Sequence, residues 1–208
     1  MALIGLISDV HSSPEPVAEA LSIFVREGVD QVFCAGDIAG YMDQLEPTIS
    51  LLGENNCRVV RGNHDLMYLD KHKLDADNET LSYLKQLPAF IDVVIEGKKL
   101  YMVHAQPPDG CHGGIKLRDR EGILQAERIE SWKESLAEFN YDVLVVGHTH
   151  QVYAEFIGNI LVVNPGSSVF NYSCAILQLP EMTVQFFPLS GKSIKNTWNW
   201  AEYMLSVK

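Results

Sequence analysis

The chain has 208 residues, 47% hydrophobic and 21% charged, values ordinary for a soluble globular protein that exclude disorder, collagen-like repeats and a fibrous class. Sixteen basic against twenty-seven acidic residues leave a net charge of −11, which disfavours tight, sequence-independent binding of DNA or RNA. A phosphate substrate stays open, because local charge at a site can oppose the global sign.

Leu3 to Ser8 reads as a short buried strand. Ser12-Ser13-Pro14-Glu15 then has the form of a helix start, with a Ser12/Glu15 capping box and proline in the first turn. Val17, Ala20, Leu21, Phe24 and Val25 follow at helical spacing, and Gly28 ends the helix. Gln31 to Cys34 and Cys57 to Val60 predict further strands, with a helix over Gln44 to Leu52 between them. Strand and helix alternate, so this half predicts parallel βαβ units. After the polar stretch Lys71 to Glu79 comes a short helix near Leu81. Ile91 to Ile95 and Leu100 to Val103 flank the turn Glu96-Gly97-Lys98 and read as a hairpin. Arg118 to Asn140 predicts a long helix, and Tyr141 to Val146 a strand. Ala154 to Ile157 and Ile160 to Val163 form a second hairpin about Gly158-Asn159, a pair suited to positive φ. Ser173 to Leu179 and Thr183 to Leu189 add two strands. The tail from Gly191, with Trp198 and Trp200, predicts a terminal helix whose tryptophans pack into the core. No linker or repeat interrupts the pattern. The expectation is one α/β domain over residues 1–208, parallel early and hairpin-rich late.

Cys34, Cys57, Cys111 and Cys174 form no CxxC pair and match no zinc framework, so they read mainly as small buried hydrophobes in a reducing cytoplasm. The N-terminal apolar run lacks a basic flank and meets Asp9 at once, unlike a signal peptide. No stretch approaches the ~20 apolar residues of a membrane span.

The chemistry lies just past the apolar runs. They end in Asp9-Val10-His11, Gly36-Asp37, Gly62-Asn63-His64-Asp65, His104 and Gly147-His148-Thr149-His150. Ligands of open α/β sheets sit at such carboxyl ends. Five of the seven histidines fall there. Asp9 alone would read as a helix N-cap and His104 alone as a satisfied polar residue; the full set reverses both readings. Oxygen and nitrogen donors without cysteine favour Mn²⁺, Fe²⁺, Co²⁺ or borderline Zn²⁺. Asp9, His11, Asp37, Asn63, His104, His148 and His150 are too many donors for one ion and suit two. Gly36, Gly62 and Gly147 precede donors at sharp turns, where glycine permits positive φ and close backbone approach.

In this order, from about Leu3 to Ser168, these motifs resemble the calcineurin-like metallophosphoesterase superfamily, its small bacterial and archaeal phosphodiesterase branch in particular. The resemblance implies a two-sheet β-sandwich flanked by helices, a four-layer α/β/β/α fold. It implies that Asp9, His11, Asp37 and His150 hold a first metal and Asp37, Asn63, His104 and His148 a second, with Asp37 bridging. The cofactors would be two divalent ions, Mn²⁺ foremost in vitro, with Fe, Zn, Ni or Co as alternatives. His64 would face the substrate as general acid while a metal-bridging hydroxide attacks phosphorus in line. Asn164-Pro165-Gly166-Ser167 also resembles a loop near the substrate pocket of that branch. Two departures stand out. The phosphoprotein phosphatases of the superfamily continue Gly-Asp-x-x with Asp-Arg, where this chain has Gly40-Tyr41, so the carboxylate that orients their histidine is missing; Asp65 or a backbone carbonyl is the candidate substitute. Many small relatives have cysteine where His64 stands.

The first functional reading is therefore a phosphodiesterase acting on a small-molecule phosphate ester. Nucleic acid enters only as a short oligonucleotide substrate, no membrane is involved, and a homo-oligomer is open. The alternatives are a phosphomonoesterase, a bis-nucleoside polyphosphate hydrolase, or a protein-interaction scaffold on the same fold, as in the retromer subunit of this superfamily. A serine hydrolase is discounted because no Gly-x-Ser-x-Gly elbow occurs. His72 reads as surface, His112 as a loop residue, Arg118 and Arg120 as a solvated helix start, and Arg61 as a local contact.

Overall fold

A computed structural model describes residues 1–76 and 78–199. The elements, in chain order, are β1 (Ala2–Ile7), α1 (Pro14–Glu27), β2 (Gln31–Cys34), α2 (Leu45–Glu54), β3 (Arg58–Val59), α3 (Asn63–Lys71), α4 (Glu79–Gln86) and β4 (Phe90–Ile95). Then follow β5 (Lys98–Val103), α5 (Ala126–Ser135), β6 (Val143–Val145), β7 (Val152–Ile157), β8 (Ile160–Pro165), β9 (Ser173–Leu179) and β10 (Thr183–Pro188).

The strands make two five-stranded mixed sheets, ordered β10-β9-β1-β2-β3 and β4-β5-β6-β8-β7. β1, β2 and β3 run parallel, as the early βαβ pattern predicts. β4–β5 and β7–β8 are the expected hairpins, while β6 runs parallel to both β5 and β8. Ile4, Leu6, Phe33 and Leu177 of the first sheet meet Leu100, Met102, Val145 and Val163 of the second in one apolar layer. The outer face of the first sheet is covered by Val17, Ala20 and Phe24 of α1, Leu52 of α2 and Leu84 of α4. The outer face of the second carries Val103, Leu144, Tyr153 and Val162, with Ile129 and Trp132 of α5 against it. Helix, sheet, sheet and helix are thus the four expected layers.

Several local expectations are corrected. α1 begins at Pro14 with Ser13 as its cap and no side-chain capping bond. Ser12 is unavailable for a capping box because its N–H and hydroxyl both point at the Ile38 carbonyl. Val25 is 80% exposed and lies off the buried stripe. The predicted helix over Arg118–Asn140 shrinks to α5. Its first part is a closed turn in which the Asp119 carboxylate accepts from the N–H groups of Glu121 and Ile123, with Gly122 at φ 82°. α3 was not foreseen, since a helix opening on Asn-His-Asp has no apolar stripe to read. It is started by Asp65, whose Oδ2 accepts the Gly62 N–H at 2.7 Å. The described part of the tail is no helix: Thr197 bridges Gln151, and Trp198 N–H donates to the His150 carbonyl. Trp200 lies outside the described residues.

Candidate metal centre

The donors named from sequence converge at one end of the two sheets. β1 delivers Asp9 and His11, β2 delivers Asp37, and the start of α3 delivers Asn63 and His64. β5 delivers His104, and the turn between β6 and β7 delivers His148 and His150. Three groups lie close enough to share an ion: Asp9, His11 and His150; Asp37, His104 and His148; and His11, Asp37 and His64. Asp9, His11, Asp37 and His104 are almost fully buried. His11 Nε2 stands 3.2 Å from His150 Nε2, and His150 Nε2 3.3 Å from Asp9 Oδ1. Asn63 Oδ1 lies 2.8 Å from His148 Nδ1 and 3.0 Å from His104 Nε2, which is itself 3.4 Å from Asp37 Oδ1.

The surroundings fix which ring nitrogen faces inward. His104 Nδ1 lies 2.6 Å from the Ala35 carbonyl and His11 Nδ1 3.3 Å from that of Ala39. A donor Nδ1–H at each leaves Nε2 aimed at the cluster, the support that metal-binding histidines ordinarily have. Asp9 accepts from Ser8 Oγ at 2.6 Å and from His148 N–H at 3.0 Å. Asp37 Oδ1 accepts the His64 N–H at 2.8 Å. The Asn164–Ser167 loop lies beneath the site rather than on its cavity wall: Ser167 Oγ donates to the Asp9 carbonyl and Asn164 Nδ2 to the Gly147 carbonyl.

The backbone here is strained. Asp9, His11, Asp37, His148 and His150 all take positive φ, between 42° and 62°. Asp and His are among the residues that tolerate this region best, and such strain gathers at functional sites. The role expected of the glycines is therefore partly corrected. Gly36 has φ 93°, but Gly62 is extended at φ −107°. Gly62 and Gly147 are needed for space: a Cβ on Gly62 would sit 2.1 Å from Asp37 Oδ1, and one on Gly147 2.0 Å from Ser8 Oγ.

Electrostatics separates the groups. Burial works to raise the Asp9 and Asp37 carboxyls, but His150 beside Asp9 and His104 beside Asp37 outweigh it and hold both below the usual carboxylate range. Burial likewise opposes a cation on His104, yet Asp37 and Asp9 lift it to about 10. Burial lowers His11 to about 3 and, helped by His104, His148 to about 4. Asp65 is pushed up to about 7 by burial and by Asp37. Its oxygens are taken by the Gly62 and Ala39 N–H groups, so it is not the substitute that orients His64. Among the described residues, no hydrogen bond reaches the His64 ring. That ring packs against Tyr41 at 4.7 Å and His11 at 5.0 Å.

A cavity of about 530 Å³ opens over the cluster, lined by Asp37, Asn63, His64, His148 and His150 together with Lys116, Arg118, Arg120 and Arg128. Arg118 and Arg120 are thus pocket residues and not a solvated helix start. Trp198 also lines the cavity, stacked on Phe170 at 4.2 Å, which corrects its placement in the core. Lys116 and Arg128, and Phe170 stacked on Trp198, were missed because no motif marks them; only the return of distant segments brings them here. His112 lies 6.3 Å, ring to ring, from His148 but outside the wall, His72 pairs with Asp75 at the surface, and Arg61 is not in the wall. Cys34 and Cys174 are buried, while Cys57 and Cys111 are half-buried; all four are free thiols.

The donor set fits divalent cations. Imidazole nitrogens 3.2 Å apart, faced by buried carboxylates, are disposed to share a cation. No helix among the described residues is long and apolar enough to cross a membrane. An uncharacterized protein of Methanocaldococcus jannaschii is 30% identical over 171 residues, 72% of this chain and 63% of that protein. The chain therefore spans just under two thirds of that relative. A phosphodiesterase of the same organism is 25% identical over 166 residues, 78% of this chain and 82% of the relative. The crystal structure of a hypothetical protein from Pyrococcus horikoshii superposes with a TM-score of 0.72 at 17% identity, covering 100% of this chain and 92% of the other. The calcineurin-like phosphoesterase superfamily domain matches residues 2–180, nearly the whole two-sheet body that carries the clustered donors, and the chain belongs to that superfamily.

Proposed function

We propose that this chain is a metal-dependent phosphodiesterase, with residues 1–208 acting as one unit. Asp9, His11, Asp37 and His150 would hold one divalent ion, and Asp37, Asn63, His104 and His148 a second. The observation that carries the reading is the convergence of two donor groups, Asp9/His11/His150 and Asp37/His104/His148, of which Asp37, His148 and His150 line one open cavity. Divalent cations bound there supply Lewis-acid charge for the phosphoryl oxygens and the attacking water. The chain's own residues do the rest. Asp37 Oδ1 takes the His64 N–H and so fixes the first turn of α3, which aims His64 into the cavity. There His64 carries the proton for the leaving oxygen. Tyr41, which also lines the cavity, packs against the ring at 4.7 Å. The phosphodiesterase from M. jannaschii supports a diester over a monoester. Family membership supports a hydrolase, and the full set of donors disfavours a scaffold role.

The test is hydrolysis of bis-p-nitrophenyl phosphate and p-nitrophenyl phosphate by chelator-stripped protein given Mn²⁺, Ni²⁺, Zn²⁺ or Mg²⁺ singly, Mn²⁺ being the expected best activator. Diester cleavage lost in Asp37→Asn supports the reading. Cleavage of the monoester alone would make it a phosphatase, and no cleavage with metal bound would favour the scaffold.

A further inference from the structure

His64 has a fixed backbone but an unsupported side chain. Its N–H is held by Asp37 Oδ1 at 2.8 Å, while among the described residues no hydrogen bond reaches its ring. Position 40 carries glycine and no carboxylate, and Asp65 gives both its oxygens to backbone N–H groups. The ring is only half-buried, and its nitrogens are within reach of both His11 and Asp37. A freely turning ring would divide its time between the donor cluster and the cavity. A group that delivers a proton has to be held in one geometry.

Packing supplies what hydrogen bonds do not. The rings of His64, His11 and Tyr41 form a closed triangle, with centroids 4.7 Å apart for Tyr41 and His64, 5.0 Å for His64 and His11, and 4.6 Å for His11 and Tyr41. His64 meets His11 edge-on at 80° and Tyr41 at a tilt of 58°, within the range of arrangements that flat rings favour. His11 has support of its own: its N–H donates to the Asp37 carbonyl at 3.0 Å, and its Nδ1 faces the Ala39 carbonyl at 3.3 Å. Loss of the Tyr41 ring would therefore free His64 and leave His11 in place.

Tyr41 stands on firm backbone. The Ile38 carbonyl accepts the Ser12 N–H at 2.7 Å, and Asp65 accepts the Ala39 N–H at 2.8 Å. Beyond Tyr41, the N–H groups of Met42 and Gln44 donate to the His11 and Ser12 carbonyls, each at 3.1 Å. Gly40 makes this path possible. It crosses the His11 ring at φ 155°, and a Cβ there would stand 2.2 Å from His11 Nδ1. No carboxylate side chain fits at position 40, and the chain delivers an aromatic ring at the next position instead.

We propose that Tyr41 is the positioning residue for His64: its ring, and not its hydroxyl, holds the imidazole in the orientation that serves the leaving oxygen. This rests on the phosphodiesterase reading above, in which His64 carries the proton for that oxygen. Tyr41 acts through His64 and need not touch the substrate.

The test compares the Mn²⁺-loaded wild type, Tyr41→Phe and Tyr41→Ala on diphenyl phosphate, whose leaving group needs the proton, and on bis-p-nitrophenyl phosphate, whose leaving group needs it less. Tyr41→Ala should lower kcat on diphenyl phosphate by about 10–100-fold, with KM changed less than about twofold, and cost several-fold less on the nitrophenyl diester. Metal content should stay at the wild-type level, and Tyr41→Phe should recover all but about threefold of the loss. A second readout needs no catalysis: NMR relaxation of ¹³Cε1-labelled histidine in the metal-free full chain, the His64 signal being assigned by its absence in His64→Ala. The ring should be ordered in the wild type and in Tyr41→Phe and mobile in Tyr41→Ala. Equal losses on the two diesters, a Tyr41→Phe as impaired as Tyr41→Ala, or a His64 ring equally ordered with and without the Tyr41 ring overturns the proposal. A wild type inactive on both diesters overturns the phosphodiesterase reading, whereas the relaxation measurement still decides whether Tyr41 holds His64.

Discussion

His11 Nε2 and His150 Nε2 face each other at 3.2 Å across 139 residues of sequence, both on backbone held at positive φ. Neither conformation is favourable locally. Such residues cost on the order of 1–3 kcal/mol each and persist only where the surrounding structure over-determines them. Here the determinants are the β1–β2 ladder, the Gln151 bonds and the loop beneath Asp9. The site is a preformed cup.

Metal should therefore stabilise the fold. At a free metal concentration about a hundred times Kd, a ligand of the native state adds about 2.7 kcal/mol. For a chain of this length that raises Tm by roughly 5–10 °C. Calorimetric melting of chelator-treated and Mn²⁺-loaded protein measures it, and Asp37→Asn should lose most of the rise. Coincident melting curves would contradict a metal centre.

The metal-free chain should be most stable near pH 6.5. His11 and His148 titrate at about 3 and about 4 when folded, against 6.5 unfolded, so the unfolded chain binds more protons in between. Stability therefore falls as pH drops below 6.5. His104 is raised to about 10, so its contribution is complete below 6.5 and is lost as pH rises through 10. Urea midpoints across pH in the presence of chelator will trace this maximum.

The same shift fixes the proton balance of metal uptake. At pH 7 His104 carries a proton in the metal-free chain and must give it up to ligate. Metal titrations in two buffers of different ionisation enthalpy should show about one proton released per chain. No buffer dependence would remove His104 from the ligand set.

His64→Ala should lower kcat by about 10²–10⁴ on esters with poor leaving groups, less on nitrophenyl esters, and leave metal content intact. Metal analysis beside a leaving-group series distinguishes this from a ligand role. Equal loss of metal and turnover would place His64 with the ligands, a possibility its closeness to His11 and Asp37 makes worth testing.

Gly62→Ala should destabilise by about 1–3 kcal/mol, because its Cβ would meet Asp37 Oδ1 at 2.1 Å and Asp37 N at 2.5 Å. Gly53→Ala, in α2 with open space about it, should instead gain about 0.5–1 kcal/mol. Guanidinium unfolding of the pair separates crowding at the site from helix propensity.

The candidate donors were legible before any fold was known. Asp9, His11, Asp37, Asn63, His104, His148 and His150 were legible because each follows an apolar strand, and strand periodicity is a local signal. The alternation of strands and helices likewise showed the early parallel sheet, and the hairpins were visible in their turn residues. Local signals misled where a side chain is committed elsewhere. Ser12 does not cap α1 because the β2 loop claims it, and Arg118–Gln125 is no helix because Asp119 folds it into a turn. α3 escaped because polar Asn63-His64-Asp65 opens it and a distant carboxylate, Asp37, steadies it. Only the tertiary structure decided who shares the cavity. Lys116, Arg120, Arg128 and Trp198 carry no motif; Gln151 holds the Leu117–Arg118 backbone and the His150 carbonyl holds that of Trp198, each across more than thirty residues of intervening chain, while Arg128 donates to the Arg118 carbonyl. Long-range hydrogen bonds of that kind depend on where segments return in space, which no local pattern encodes.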